Sequence, residues 1–469
     1  MSETTIQLLV IGAGPGGYPA AFHAADRGLK VILVDRDPEP GGVCLFRGCI
    51  PSKAILHAAH VLEAAREAPA MGITFPEPVI DIPALRTWKE SIVRQLTGGL
   101  GQLTRARGIT FIQGEAAITG PHSAVIRTAG GETRTVQFDN AIVATGSEPV
   151  RPSFLPDLPG IMDSTAALAL DALPGSLLVI GGGYIGLELG QAYASLGTRV
   201  SVVEATATLL PGVDPDLVKP LAAHLKTRFA AIQLGTRVTG VQPDAGGFRV
   251  TLEGPDHPPE TRFDRVLVAI GRRPVTAGAG LETAGIHVDA KGFITVNDRR
   301  RTSCDSIYSV GDVAGQPMLA HKATHEGRLA VEAILNGKAV YEPRAIPAVV
   351  FTDPEIAWCG LTEDEARRQG LDIRVAVFPW QASGRAATLS RREGITKIIA
   401  DPEGGRLLGV GISGTGAGEL IGEGVLAIEM GAVAEDLALT IHAHPSLSET
   451  LMEAAQRLMG QSTHYFQRL

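Results

Sequence analysis

The chain has 469 residues, 45% hydrophobic and 20% charged, with a formal net charge of −8 and four cysteines. The length suggests about three domains, and the composition is that of an ordinary soluble globular protein. It excludes a disulfide-stapled secreted scaffold and offers no basic stripe for nucleic acid; the run Arg299-Arg300-Arg301 reads as a solvated turn. Residues 1–7 carry neither a basic region nor a long apolar run, and longer apolar stretches are broken by glycine and charge. No leader peptide and no membrane span are therefore expected, and a reducing cytoplasm is the expected compartment.

The first predicted strand, Gln7–Ile11, runs into Gly12-Ala13-Gly14-Pro15-Gly16-Gly17 and a helical stretch to about Arg27. A second strand, Val31–Val34, ends at Asp35. This order is that of a dinucleotide fingerprint. Gly12, Gly14 and Gly17 allow a tight turn and close approach of a pyrophosphate, the helix N-terminus offers free N–H groups, and Asp35 can accept from ribose hydroxyls. A tight turn without a ligand is the bland alternative.

The segment Gly41 to Lys53 follows and carries Cys44 and Cys49. Five residues of regular helix rise about 7.5 Å, whereas bridged cysteines keep their Cα atoms within roughly 7 Å. A disulfide here needs distorted backbone, which Gly48 and Pro51 could supply. Two unpaired structural cysteines remain open as a reading. No second Cys or His pair at ligand spacing lies nearby, so no metal site is expected. Cys304 and Cys359 have no comparable context and read as incidental thiols.

The fingerprint recurs. Leu177–Ile180 leads into Gly181-Gly182-Gly183-Tyr184-Ile185-Gly186, a helix to about Leu196, and a strand Val200–Val203 ending at Glu204. First glycine and acid are 23 residues apart in both copies (12 to 35, 181 to 204). Gly181, Gly183, Gly186 and Glu204 therefore form a second candidate nucleotide site, and two such sites suggest two electron carriers. A carboxylate at Glu204 would bond a ribose hydroxyl and repel a 2′-phosphate, which favours NAD over NADP. After about Arg344 the pattern changes to strands at Ala348–Phe351 and Arg374–Phe378 and helices at Gly418–Met430 and Ser446–Leu458, a third, α+β unit.

The segment Gly41-Gly42-Val43-Cys44-Leu45-Phe46-Arg47-Gly48-Cys49-Ile50-Pro51-Ser52-Lys53 resembles the redox-active motif of the pyridine nucleotide–disulfide oxidoreductases. Three further segments resemble that family in the expected order: Ala144-Thr145-Gly146, Ser309-Val310-Gly311-Asp312, and His442-Ala443-His444-Pro445-Ser446-Leu447-Ser448-Glu449. The resemblance implies an α/β fold with two Rossmann-like dinucleotide-binding domains plus a C-terminal α+β dimerisation domain. It places an FAD-binding domain at 1–149 and 276–343, an NAD-binding domain at 150–275, and the interface domain at 344–469. It implies a redox-active disulfide between Cys44 and Cys49, with Cys44 farther from the flavin, and His444 as a base oriented by Glu449. Lys53 would sit beside the flavin, paired with Glu188; ordinary surface helix charges are the alternative for that pair. Further cofactor contacts are implied at Ala116, Thr145, Gly146, Asp312, Ala320, Val238 and Gly271.

Within the family, Pro317-Met318-Leu319-Ala320-His321-Lys322-Ala323, Phe378-Pro379-Trp380 and Ser383-Gly384-Arg385-Ala386 are similar to the branch that oxidises protein-bound dihydrolipoamide with NAD. That branch implies a homodimer and, as partners, the lipoylated acyltransferase subunit of a 2-oxoacid dehydrogenase complex or the lipoyl carrier of glycine cleavage. Phe46-Arg47, Tyr184 and Asp353 depart from the branch's commoner residues. Another disulfide or quinone reductase of the family, and a flavin-bearing docking subunit without turnover, are the alternatives.

Overall fold

The computed structural model describes residues 4–255 and 260–466. The first three residues, which fall in the segment read above for a leader, and the last three lie outside it.

Thr4–Ile11 forms the centre of the first sheet because its half Leu8–Ile11 is continuously apolar and buried, as a strand covered on both faces requires. It pairs in parallel with Val31–Asp35 on one side and Thr133–Val143 on the other. Thr110–Gly120 extends the sheet beyond Val31–Asp35, and Ile307–Ser309 extends it beyond Thr133–Val143. This last strand arrives from far along the chain, so the first unit is discontinuous. The helices Gly17–Asp26 and Ala320–Asn336 pack on each other and cover one face.

The second sheet repeats the plan with parallel strands in the order Ala231–Gln233, Arg199–Val203, Ser176–Ile180, Arg265–Val268, Ile161–Met162. A small antiparallel sheet from Arg237–Asp244, Gly247–Glu253 and Glu260–Phe263 flanks it. Ser147–Pro149 pairs with Arg272–Pro274 where the chain leaves and re-enters the first unit. The remaining sheet is antiparallel, in the order Ala348–Val350, Ile356–Gly360, Leu407–Ser413, Ile395–Ala400, Arg374–Pro379, with Ala417–Met430 and Glu449–Leu458 packed on it. One apolar core includes Ile55 and Ala59 of the helix Cys49–Glu67, Leu187 and Val202 of the second unit, and Val350 and Ile356 of the third. That shared core fixes the three units around the cysteine segment.

Most boundaries shift by one to three residues from the sequence reading, and two of the shifts have a visible reason. The strand predicted to Phe351 stops at Val350, because the Phe351 amide donates to Glu188 Oε1 (2.9 Å) rather than to a neighbouring strand. The helix predicted from Ser446 starts at Glu449. The Ser446 amide bonds Glu449 Oε2 (2.7 Å), and the Ser446 and Ser448 hydroxyls bond each other, which are turn interactions that compete with helix.

Candidate active site

The cysteine segment is two helices. Gly42–Arg47 carries Cys44, the chain turns at Gly48 (φ −143°, ψ −115°), and Cys49–Glu67 follows. Of the two residues proposed to distort the backbone, only Gly48 does so: a Cβ there would lie 2.8 Å from the Val43 carbonyl oxygen. Pro51 sits in the first turn of the second helix, where its missing N–H costs nothing. The break brings Cys44 and Cys49 together as hydrogen-bonded thiols.

The pair is electrostatically asymmetric. The Cys44 thiol donates to the Cys49 sulfur and lowers its pKa; burial opposes this, and the Lys53 ammonium lowers it again, leaving Cys49 at about 7. Cys44 is pushed far above the usual thiol range, first because its proton is held in that bond and then by burial. In the dithiol state the thiolate therefore resides on Cys49.

Lys53 is positioned from outside its own unit. Its Nζ donates to Glu188 Oε2 at 2.8 Å, the Ser52 hydroxyl donates to the same oxygen, and Nζ lies 4.4 Å from the centre of the Phe351 ring. Glu188 is buried on the helix Tyr184–Ser195 of the second fingerprint. Three units thus converge on one ammonium, and the alternative of two ordinary surface charges is inconsistent with this burial.

Both cysteines open onto a cavity that runs along the first glycine turn. It is lined by Gly12, Gly14 and Asp35 at one end, by Lys53, Ala116, Thr145 and Gly146, and by Asp312 and Ala320. The residues suit a flavin dinucleotide. The helix Gly17–Asp26 has no capping side chain and no acid in its first turn, so the positive end of its dipole is unopposed for a pyrophosphate, although the Gly17 and Tyr18 amides themselves donate to the Gly14 carbonyl. Asp312 lies in the short turn Gly311–Ala314, held by the buried Glu326, whose carboxylate accepts from the Gly311 amide (2.7 Å) and pairs with Arg300 and Lys322. Its Oδ2 accepts from the Ser147 hydroxyl, which also accepts from Arg272 Nε (2.8 Å). Tyr184 lines the same cavity with its ring partly open to solvent.

Gly181, Gly183 and Glu204 do not line that cavity. Nothing approaches within 4 Å of a Cβ built at Gly183, and the helix Tyr184–Ser195 likewise has no capping side chain and no acid in its first turn, so this turn has room for an anionic group. Gly186 packs close to the Gly181 carbonyl. Glu204 is buried, and its two oxygens accept from the Gly182 and Thr206 amides at 2.7 Å each. Gly271 has φ +128° at the link between units. The Val238 side chain packs in the core of the second unit, and its strand pairs with Gly247–Glu253.

His444 is largely exposed, and its Nδ1 lies 2.9 Å from Glu449 Oε1. Burial raises the Glu449 carboxyl, but the Ser446 amide and His444 together hold it below its ordinary value. That geometry fixes Nδ1 as the protonated nitrogen and leaves Nε2 facing outward. Among the described residues, none from the third unit lines the Cys44 cavity. Just before His444 in the chain, Leu439 and Ile441 are 74% and 96% exposed.

The departures at Arg47 and Asp353 are each half of an ion pair, Arg47 with Asp37 and Asp353 with Arg391. Sequence reasoning missed these partners, together with Ser147, Arg272, Glu326 and Phe351. Several are separated from the groups they hold by more than a hundred residues, and no spacing rule joins them.

The comparisons with known proteins agree on a family. Residues 6–327 match the pyridine nucleotide-disulphide oxidoreductases, and residues 346–455 match their dimerisation domain. The chain is 48% identical over 463 residues to the dihydrolipoyl dehydrogenase of Vibrio parahaemolyticus, covering 98% of this chain and 97% of that one. It is 44% identical over 467 residues to that of Thermus scotoductus, covering 99% and 100%. The crystal structure of LpdA from Mycobacterium tuberculosis superposes with a TM-score of 0.89 at 30% identity, covering 97% of this chain and 100% of that one. A copper(II) complex of RclA, an HOCl-induced flavoprotein disulfide reductase of Escherichia coli, gives 0.86 at 29% identity, covering 97% and 100%.

Proposed function

This chain belongs to the pyridine nucleotide-disulphide oxidoreductases, and we propose that it oxidises protein-bound dihydrolipoamide to lipoamide, reducing NAD⁺ through Cys44, Cys49 and FAD. The observation that carries the reading is the polarised cysteine pair opening onto a nucleotide cavity, beside an ammonium held by a carboxylate from the second fingerprint. The near-full-length similarity to dihydrolipoyl dehydrogenases supports the substrate.

A dithiol must lose a proton before it attacks, because the thiolate is the nucleophile. His444 accepts that proton at Nε2, and Glu449 orients the ring and favours its cation. The substrate thiolate attacks the Cys44 sulfur, the S–S bond breaks, and Cys49 leaves as a thiolate stabilised by Lys53. The second substrate thiol then displaces Cys44 from the mixed disulfide and lipoamide departs; Cys44 takes the first proton from His444, and His444 keeps the proton of the second thiol, balancing the Cys49 thiolate. FAD, when bound, supplies the two-electron relay to NAD⁺. Gly12, Gly14, Gly17 and Asp35 hold its adenosine diphosphate part; Gly181, Gly183, Gly186 and Glu204 hold NAD.

The third unit's dimerisation family and the exposed Leu439 and Ile441 just before His444 support a homodimer in which His444 serves the partner's cysteine pair. The lipoylated acyltransferase of a 2-oxoacid dehydrogenase complex, or the lipoyl carrier of glycine cleavage, would present the substrate. Steady-state rates test the reaction: dihydrolipoamide with NAD⁺ should give the highest kcat/KM among dithiols and nucleotides, and a clear preference for another disulfide or for NADP⁺ would refute it. A hybrid dimer of Cys44→Ser and His444→Gln subunits tests the shared site. It should keep roughly half the wild-type activity, because one site then contains both intact groups; an inactive, flavin-loaded hybrid would place His444 in cis.

A further inference from the structure

Arg47 has no part in the reaction above, although it lines the same cavity as the cysteines. It is the last residue of Gly42–Arg47, the helix that carries Cys44. A helix of six residues closes about two internal hydrogen bonds and does not hold itself together. Both flanks are glycine: a Cβ at Gly42 would lie 2.5 Å from the Gly14 Cα, and Gly48 is the turn into the next helix. The placement of Cys44 therefore depends on contacts made from outside the helix.

The strongest side-chain contact is a fork. Arg47 Nη1 and Nη2 donate to the two oxygens of Asp37 at 2.9 and 2.7 Å, in a pair that is mostly buried. Such two-point pairing fixes orientation as well as distance. Asp37 continues the connection, since its amide donates to Asp35 Oδ1 at 2.9 Å and Asp35 Oδ2 accepts from the Ala13 amide. The helix of Cys44 thus hangs, through Arg47, Asp37 and Asp35, on the first glycine turn. The charge of Arg47 is matched by Asp37, while the cation acting on the two sulfurs is Lys53. Arg47 acts through position.

We propose that the Arg47–Asp37 fork is a positioning pair that sets the reduction potential of the Cys44–Cys49 couple, by holding the two sulfurs within bonding reach in the dithiol state. The inference rests on the redox role proposed above for this pair. On reduction the disulfide takes two electrons and two protons from a dithiol; its S–S bond breaks, two thiols form, and the reductant closes to its own disulfide. While the disulfide exists, the covalent bond keeps Cys44 in place with or without the fork. Once it is broken, the fork limits the separation of the thiols and keeps their effective concentration high. Losing the fork therefore favours the dithiol state and makes the couple more positive.

The test equilibrates FAD-loaded wild type, Arg47→Gln, Asp37→Asn and the double variant in glutathione redox buffers, then traps the thiols by alkylation. Mass spectrometry reads the fraction of Cys44–Cys49 disulfide. Each single variant should shift the equilibrium toward the dithiol by about tenfold, or about 30 mV for a two-electron couple. The double variant should shift it no further, because both changes break one interaction. Arg47→Lys keeps the charge but loses the fork and should shift it in the same direction by less; it decides the matter if the other variants do not fold. Wild-type potentials in the folded variants, or a double shift equal to the sum of the singles, would overturn the proposal. Loss of FAD without a change in potential would also overturn it, by making Arg47 a cofactor contact alone. Neither lipoamide nor NAD⁺ enters this measurement, so its outcome is independent of the substrate assignment.

Discussion

At Gly12 the backbone has φ +98° and a Cβ would lie 2.2 Å from the Ala144 carbonyl oxygen; at Gly181 the values are +109° and 2.4 Å, against Ala269. Asp35 accepts from the amides of Ala13 and Asp37, and Glu204 from those of Gly182 and Thr206. The parallel continues past the acid. Six residues after Asp35 the Gly41 amide donates to the Ala13 carbonyl (2.9 Å), and six residues after Glu204 the Leu210 amide donates to the Gly182 carbonyl (2.9 Å). There the two units diverge. At Gly41 the chain enters the helix that carries Cys44, folded back over the turn with Gly42 against Gly14; at Leu210 it continues as a loop until Pro215, and Gly183 stays open. The same local code yields a site enclosed by redox chemistry in one copy and an accessible site in the other. This suits a carrier that stays bound and one that must come and go.

Alanine at the first glycine should separate the copies most sharply. Steric overlap plus left-handed strain should cost about 2–4 kcal/mol at either position. Gly12→Ala should be recovered without FAD, whereas Gly181→Ala should retain FAD and a reducible cysteine pair but lose NAD⁺ reduction. Flavin absorbance and NADH formation read the two losses; loss of flavin in Gly181→Ala would mean that the units do not act separately.

Replacing the acid of the second copy has a smaller expected effect. Glu204→Ala should narrow the kcat/KM preference for NAD⁺ over NADP⁺ by about tenfold, the factor for roughly 1.4 kcal/mol of charge repulsion. An unchanged ratio would leave Glu204 with only its hydrogen bonds to the glycine turn.

The finest test concerns Glu188, a residue of the second copy that acts on the first copy's sulfurs. Lys53 lowers the Cys49 pKa and Glu188 raises it. The pH midpoint of thiolate absorbance in the reduced enzyme should therefore rise from about 7 in Lys53→Met and fall in Glu188→Gln. Shifts of the same sign would mean that both substitutions act by disturbing packing.

The sequence by itself determined the two strand–glycine–helix–strand units, because their requirements are local: alternating or continuous apolar strands, a turn only glycine can make, and an acid a fixed distance on. The cysteine pair and the histidine–glutamate pair, whose members lie five residues apart, were legible through the family resemblance that their segments carry. Helix and strand ends were less legible where a long-range bond competed with the local pattern, as at Phe351. What holds the reactive groups was decided by tertiary structure alone. Ser147 meets Asp312 across 165 residues and Phe351 reaches Glu188 across 163, whereas the Lys53–Glu188 pair, 135 residues apart, was legible only through the family resemblance. Each contact exists because buried charges and amides must find partners where the packed units leave them. That requirement is met by whichever residue the fold brings near, at no fixed spacing along the chain.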